Sequence, residues 1–141
     1  TVLKILLKLI QFYQELQEQL LEELLWAERS ALLDAEWLAG WLALRRLNQP
    51  AQALTHFRNA RAVAQTPISQ ARGDYWAGRA ADSAGQREQA RQYFAAAARH
   101  PDYFYGQLAS ERVGQPLSLD NRPLPALDAV TAGNFCAEGR V

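Results

Sequence analysis

The sequence predicts an all-α protein, built of stacked antiparallel helix pairs and capped by a long N-terminal helix. Three observations carry this. Apolar residues recur at steps of three and four along the first part of the chain, which is the period of one helix face. Breakers stand about one helix apart, at Pro50, Pro67, Gly85, Pro101 and Gly114. No stretch shows the apolar–polar alternation of a half-buried strand.

Thr1 to Leu33 reads as one long helix. Leu9, Tyr13, Leu16, Leu20, Leu24, Ala27 and Ala31 mark its apolar stripe, and no Gly or Pro interrupts it. Gln14–Leu25 contains only Gln, Glu and Leu, all strong helix formers. Two readings stand for this helix, an amphipathic packing element and a coiled-coil surface for a partner. Leu6, Leu7, Ile10 and Phe12 spread apolar surface around its first turns, which predicts contact on more than one side.

Asp34 is placed to cap a second helix, Ala35 to about Leu47. Asn48-Gln49-Pro50 is a turn, with Pro50 set to start a third helix that runs to about Ala64. Thr66-Pro67 is an N-cap followed by a first-turn proline, and the fourth helix ends at Gly85. The fifth spans Arg87 to Arg99, and His100-Pro101-Asp102 breaks it. The sixth runs from Tyr103 to about Val113. Leu124–Ala132 is a candidate short helix in a Pro-containing tail. The chain therefore divides into a helix at 1–34, a helical-repeat region at 35–114 and a tail at 115–141.

The repeat is legible residue by residue. Ala39-Gly40 matches Ala77-Gly78 at an offset of 38, and Ala53, Phe57 and Ala60 match Ala90, Phe94 and Ala97 at an offset of 37. A period of this size signals a helical solenoid. Gly78, Gly85, Ala90, Phe94, Ala97 and Pro101 follow tetratricopeptide spacing. Small residues let two helices approach, a Phe fills the groove between them, and a proline ends the pair. Gly106, after Tyr103-Phe104-Tyr105, opens a third copy. One pair cannot bury its apolar face alone, so neighbours must stack.

Charge and composition exclude some functions. The 141 residues carry 15 basic and 15 acidic side chains, so no global field draws the chain to nucleic acid or an anionic membrane. Residues 1–34 hold three basic and six acidic side chains, and residues 35–114 hold ten and six. The apolar run Val2–Ile10 is too short to span a bilayer, and Lys4 and Lys8 interrupt it, with no cleavage site of the signal-peptide kind after it. Membrane insertion is not expected. Thr1 in place of Met leads us to expect a chain that is processed, excised or built. Cys136 is the only cysteine, so neither an internal disulfide nor a Cys-rich metal site is expected.

Candidate chemistry is sparse. His56 and His100 lack the neighbours of a metal site, and His100 suits a helix C-terminus. Glu36 and Glu111 read as isolated surface or capping carboxylates. No phosphate loop, metal site or cofactor is expected. The repeat register sets Trp37, Trp41, Arg45, Arg72, Tyr75, Arg79, Asp82, Tyr103 and Gln107 on one inner face. Aromatic rings with arginines can stack on sugars or grip a carboxylate; the same aromatics can equally be inter-helix packing.

Residues 35–116 resemble the α-superhelical region of soluble lytic transglycosylases, bacterial periplasmic enzymes that cleave peptidoglycan. The phrases are Glu36-Trp37-Leu38-Ala39-Gly40-Trp41, His56-Phe57, Thr66-Pro67-Ile68-Ser69, Tyr75-Trp76-Ala77-Gly78-Arg79-Ala80 and Phe104-Tyr105-Gly106-Gln107-Leu108-Ala109. The resemblance implies a periplasmic, non-catalytic superhelical scaffold. Its partners would be glycan strands or a catalytic domain, and Pro116–Pro125 would begin a linker. That family's catalytic domain carries a Glu-Ser pair with the Glu as general acid. This sequence has no Glu-Ser pair and no Met, so it is not expected to be an enzyme. Residues 1–33 do not share the resemblance. Their Leu/Glu/Gln bias resembles idealised designed helices. The alternatives are an engineered or grafted scaffold that binds a protein partner through this helix, and a natural but divergent helix. An ordinary tetratricopeptide adaptor for peptides is a third reading.

Overall fold

The computed structural model describes residues 1–116, and these are all-helical. Five helices follow in order: α1 (Val2–Arg45), α2 (Pro50–Val63), α3 (Pro67–Ser83), α4 (Arg87–Ala97) and α5 (Phe104–Val113). No strand occurs among the described residues. The expected helix at 124–132, the linker after Pro116 and Cys136 lie outside them.

The turn chemistry set the boundaries from α2 onward. Pro50 occupies the first turn of α2, where a missing N–H costs nothing. The Thr66 hydroxyl accepts the Ser69 N–H at 3.3 Å and so caps α3. Gly85 and Gly114 adopt φ of +78° and +69° just after α3 and α5, the left-handed conformation that glycine enters freely. Asn48 takes φ +52° in the α1–α2 turn, a role Asn fills better than most side chains.

The expected break at Asp34 does not exist. Backbone helix runs without interruption from Val2 to Arg45. A capping residue starts a helix only where the preceding backbone leaves helical geometry, and no Gly or Pro stands between Thr1 and Ala39 to make it do so. The Asp34 side chain instead accepts Nη2 of Arg72 from α3 at 3.3 Å. Among the described residues there are thus five helices where six were expected, and the boundary at 34 is not a break in the helix.

The last turns of α1 pair with α2, and α3 pairs with α4. A Cβ placed on Gly40 would lie 2.9 Å from Cε1 of Phe57, and one on Gly78 would lie 2.8 Å from Cε1 of Phe94. The two Gly–Phe contacts are the same contact repeated. Around them the core is largely alanine, with Ala53, Ala60, Ala77, Ala80, Ala90 and Ala97 all buried. Small side chains hold the backbones close, and Phe57 is the largest fully buried one. Gly106 extends the logic to α5, where any Cβ would run into the His100 carbonyl.

Each helix packs on the next, and α1 also touches α3 while α3 touches α5. No matching contact joins α2 to α4. The odd-numbered helices are therefore closer together, and the stack bends with them on the inner side. Only the C-terminal part of α1 caps this stack. Residues 1–29 are all exposed, and Ser30 is the first to lose part of its surface. The N-terminal part of α1 projects as a lone helix.

Candidate functional site

α3 lies at the centre of the inner side and supplies most of its chemistry. Arg72 and Arg79 stand two turns apart on it, each held against an aromatic ring. The Arg72 guanidinium sits 5.0 Å from the centroid of Trp37 on α1, while its Nη2 reaches Asp34. The Arg79 guanidinium sits 5.6 Å from Trp76 and 6.0 Å from Tyr75, and its Nη1 donates to the Tyr75 hydroxyl at 3.2 Å. Such stacking orients the planar guanidinium fork before any ligand arrives.

The rings form one continuous layer. Trp37 meets Trp76 edge-on at 6.1 Å, and Trp76 stacks on Phe57 at 5.9 Å. Tyr75 packs against Phe94 and against Tyr105 of α5. The indole N–H groups of Trp37 and Trp76 are buried without a hydrogen-bond partner. Beside this layer an open cleft of about 330 Å³ lies between α1 and α3, lined by Leu33, Asp34, Ile68, Arg72 and Tyr105 among others.

Of the nine inner-face residues named from the sequence, four come together: Trp37, Arg72, Tyr75 and Arg79. Tyr75 is only 5 % exposed, so its ring belongs to the core and its hydroxyl serves Arg79. Trp41 is half-buried and packs on the core. Arg45 is exposed in the last turn of α1, and Asp82 is exposed near the end of α3. Tyr103 is the N-cap residue of α5. Gln107 donates its amide to the Pro101 carbonyl at 3.1 Å, closing the turn before α5. Among the described residues no hydrogen bond, ion pair or cation–π contact joins these five residues to Arg72 or Arg79. The four named on the first helix, Leu6, Leu7, Ile10 and Phe12, are all at least 50 % exposed.

Two polar clusters escaped the sequence reading. Glu36 is not isolated: its Oε2 lies 2.7 Å from Nδ1 of His56, and its Oε1 accepts Nδ2 of Asn59 at 3.3 Å. This clasp ties α1 to α2. Asp74, only 5 % exposed, accepts Nε of Arg61 at 2.9 Å and ties α3 to α2. Burial pushes the Asp74 carboxyl above its ordinary value, with Arg61, then His100 and Arg99, pulling the other way. A helical carboxylate flanked by Gly73, Tyr75 and Trp76 was the available signal. Among the described residues no group of three or more His, Cys, Asp or Glu is placed to hold a metal, and no helix is long and apolar enough to cross a membrane. No family model matches this chain, and no curated protein or solved structure is significantly similar to it.

Proposed function

We propose that this chain is a non-catalytic helical-repeat scaffold whose inner face binds a polymeric ligand, in the manner of the superhelical region of a periplasmic lytic transglycosylase. The observation that carries this reading is the pair of guanidinium–aromatic stacks, Arg72 on Trp37 and Arg79 on Trp76. Each holds a charged fork at the surface with its orientation already fixed. A peptidoglycan strand offers both complements, sugar C–H faces for the half-buried Trp37 and Trp76 rings and stem-peptide carboxylates for the arginines. A catalytic domain docked on the same face would use the same groups.

The test is co-sedimentation of the full chain with purified peptidoglycan sacculi. Binding should fall at least about tenfold in R72A and in R79A, as expected for removing a charge-assisted hydrogen bond. The supernatant should contain no anhydro-muropeptides. Unchanged binding in both variants rejects the site. Turnover that vanishes on replacing one Glu rejects the non-catalytic reading.

A second reading has its own support. Residues 1–25 lie outside the packed body, and their apolar side chains are exposed, whereas Trp26 and Arg29 line a cleft with Val63 and Thr66. This favours a scaffold, grafted or natural, that engages a protein through the free part of α1. Leu6→Glu with Ile10→Glu should then abolish partner binding and leave the repeat body folded.

A further inference from the structure

The free part of α1 carries a long apolar seam with nothing of its own chain against it. Leu6, Leu9, Tyr13, Leu16, Leu20 and Leu24 follow one another at steps of three and four, and all are between 42 % and 68 % exposed. That spacing keeps one side of a helix apolar over its whole length, as in the seam between two paired helices. A lone helix in water gains little from its own hydrogen bonds, and apolar surface on this scale is normally covered.

Charge along the same segment says what covers it. Residues 1–13 hold Lys4 and Lys8 and no acidic side chain, whereas residues 14–28 hold Glu15, Glu18, Glu22, Glu23 and Glu28 and no basic one. A parallel pair of such helices sets the lysines beside lysines and the glutamates beside glutamates. An antiparallel pair sets each basic end beside an acidic one. The seam also maps onto itself on reversal about its midpoint, between Gln14 and Glu15. Val2 then lies beside Ala27, Leu9 beside Leu20 and Tyr13 beside Leu16, and Leu6 falls within one residue of Leu24. Fit at the ends agrees. Val2 reaches Ala27, at the edge of the repeat body, where Trp26 and Arg29 border Val63 and Thr66 and Ser30 is the first residue to lose part of its surface. The two bodies therefore lie at opposite ends of the pair and do not collide.

We propose that residues 2–27 of α1 pair antiparallel with the same segment of a second copy of this chain. The proposal rests on the second functional reading above and names its partner. The resulting molecule presents two repeat bodies about 40 Å apart, roughly the length of the paired segment at 1.5 Å per helical residue, with their inner faces available together.

The experiment uses the full chain with Cys136→Ser as background. Light scattering should give a mass of at least twice the 15.8 kDa chain, and Leu16→Glu should return it to one. Single-cysteine variants L6C and L24C, distinguishable by a tag, are then mixed and oxidised. The expected product is the mixed L6C–L24C disulfide, with little L6C–L6C. A predominant L6C–L6C product overturns the antiparallel arrangement. A monomeric parent overturns the pairing itself. In that case the broader reading still stands or falls separately, on whether Leu6→Glu with Ile10→Glu abolishes binding to a different protein.

Discussion

The ring of Phe94 occupies the space a side chain on Gly78 would need, with Cε1 2.8 Å from where that Cβ would stand. Gly40 and Phe57 make the same contact one repeat earlier. A large side chain on one helix thus fits only against a bare backbone on the other. This pairing sets the distance between the helices of each pair.

Emptying the large side of the contact should be costly. Phe94→Ala is expected to destabilise the chain by about 3–5 kcal/mol, the usual loss for a buried Phe. Phe94 is 5 % exposed and packs against Tyr75, with the Arg112 guanidinium over its ring. Denaturant melts read this directly. A loss below about 1 kcal/mol would mean the repeat is not held at this point.

Filling the small side should also destabilise. Gly78→Ala gains helix propensity worth about 1 kcal/mol but sets a methyl against the Phe94 ring. The ring is hemmed in by Tyr75, so overpacking of about 1–3 kcal/mol should outweigh the gain. Combined with Phe94→Ala, the same substitution should turn stabilising relative to Phe94→Ala alone. A double-mutant cycle in thermal melts separates this from a simple sum.

These contacts were legible in the sequence because close helix packing leaves a fixed mark: a glycine on one helix and a phenylalanine on the next, at constant spacing. Turns were legible for the same kind of reason, since Pro50, Thr66-Pro67, Gly85 and Gly114 act through local backbone geometry. Asp34 misled because a good capping residue is also tolerated inside a long exposed helix when a partner, here Arg72, takes its carboxylate. The clasps Glu36–His56 and Arg61–Asp74 were not legible. Their members lie 20 and 13 residues apart, on separate helices, and only tertiary packing brings them together. The inner face was half legible. The register placed Trp37, Arg72 and Arg79 together, but it could not tell that Tyr75 turns into the core.

The Glu36–His56 clasp predicts measurable coupling between α1 and α2. Glu36→Gln and His56→Ala should each destabilise, and together by less than their sum. The coupling should be about 0.5–1.5 kcal/mol, the worth of a half-exposed polar contact. It is read from a double-mutant cycle in urea. Strict additivity would mean that the 2.7 Å contact contributes nothing to stability.

Asp74 should give the chain an unusual pH response. Burial raises its pKa above the ordinary 3.8, against the pull of Arg61 and, less strongly, of His100 and Arg99. The folded state therefore holds the Asp74 proton more tightly than the unfolded chain does. Stability from this group is highest below pH 3.8 and declines as pH rises through the raised value, because the unfolded state then binds fewer protons than the native one. The other carboxylates also titrate in this range, so the informative quantity is the stability of wild type minus that of Asp74→Asn. That difference should fall with rising pH between 3.8 and the raised value and then level off. Arg61→Ala should widen the window, since removing Arg61 removes the nearest group that favours the carboxylate. Chemical melts of the three proteins across the acid range measure this. A difference that rises with pH would show that the ion pair with Arg61 outweighs the burial of Asp74.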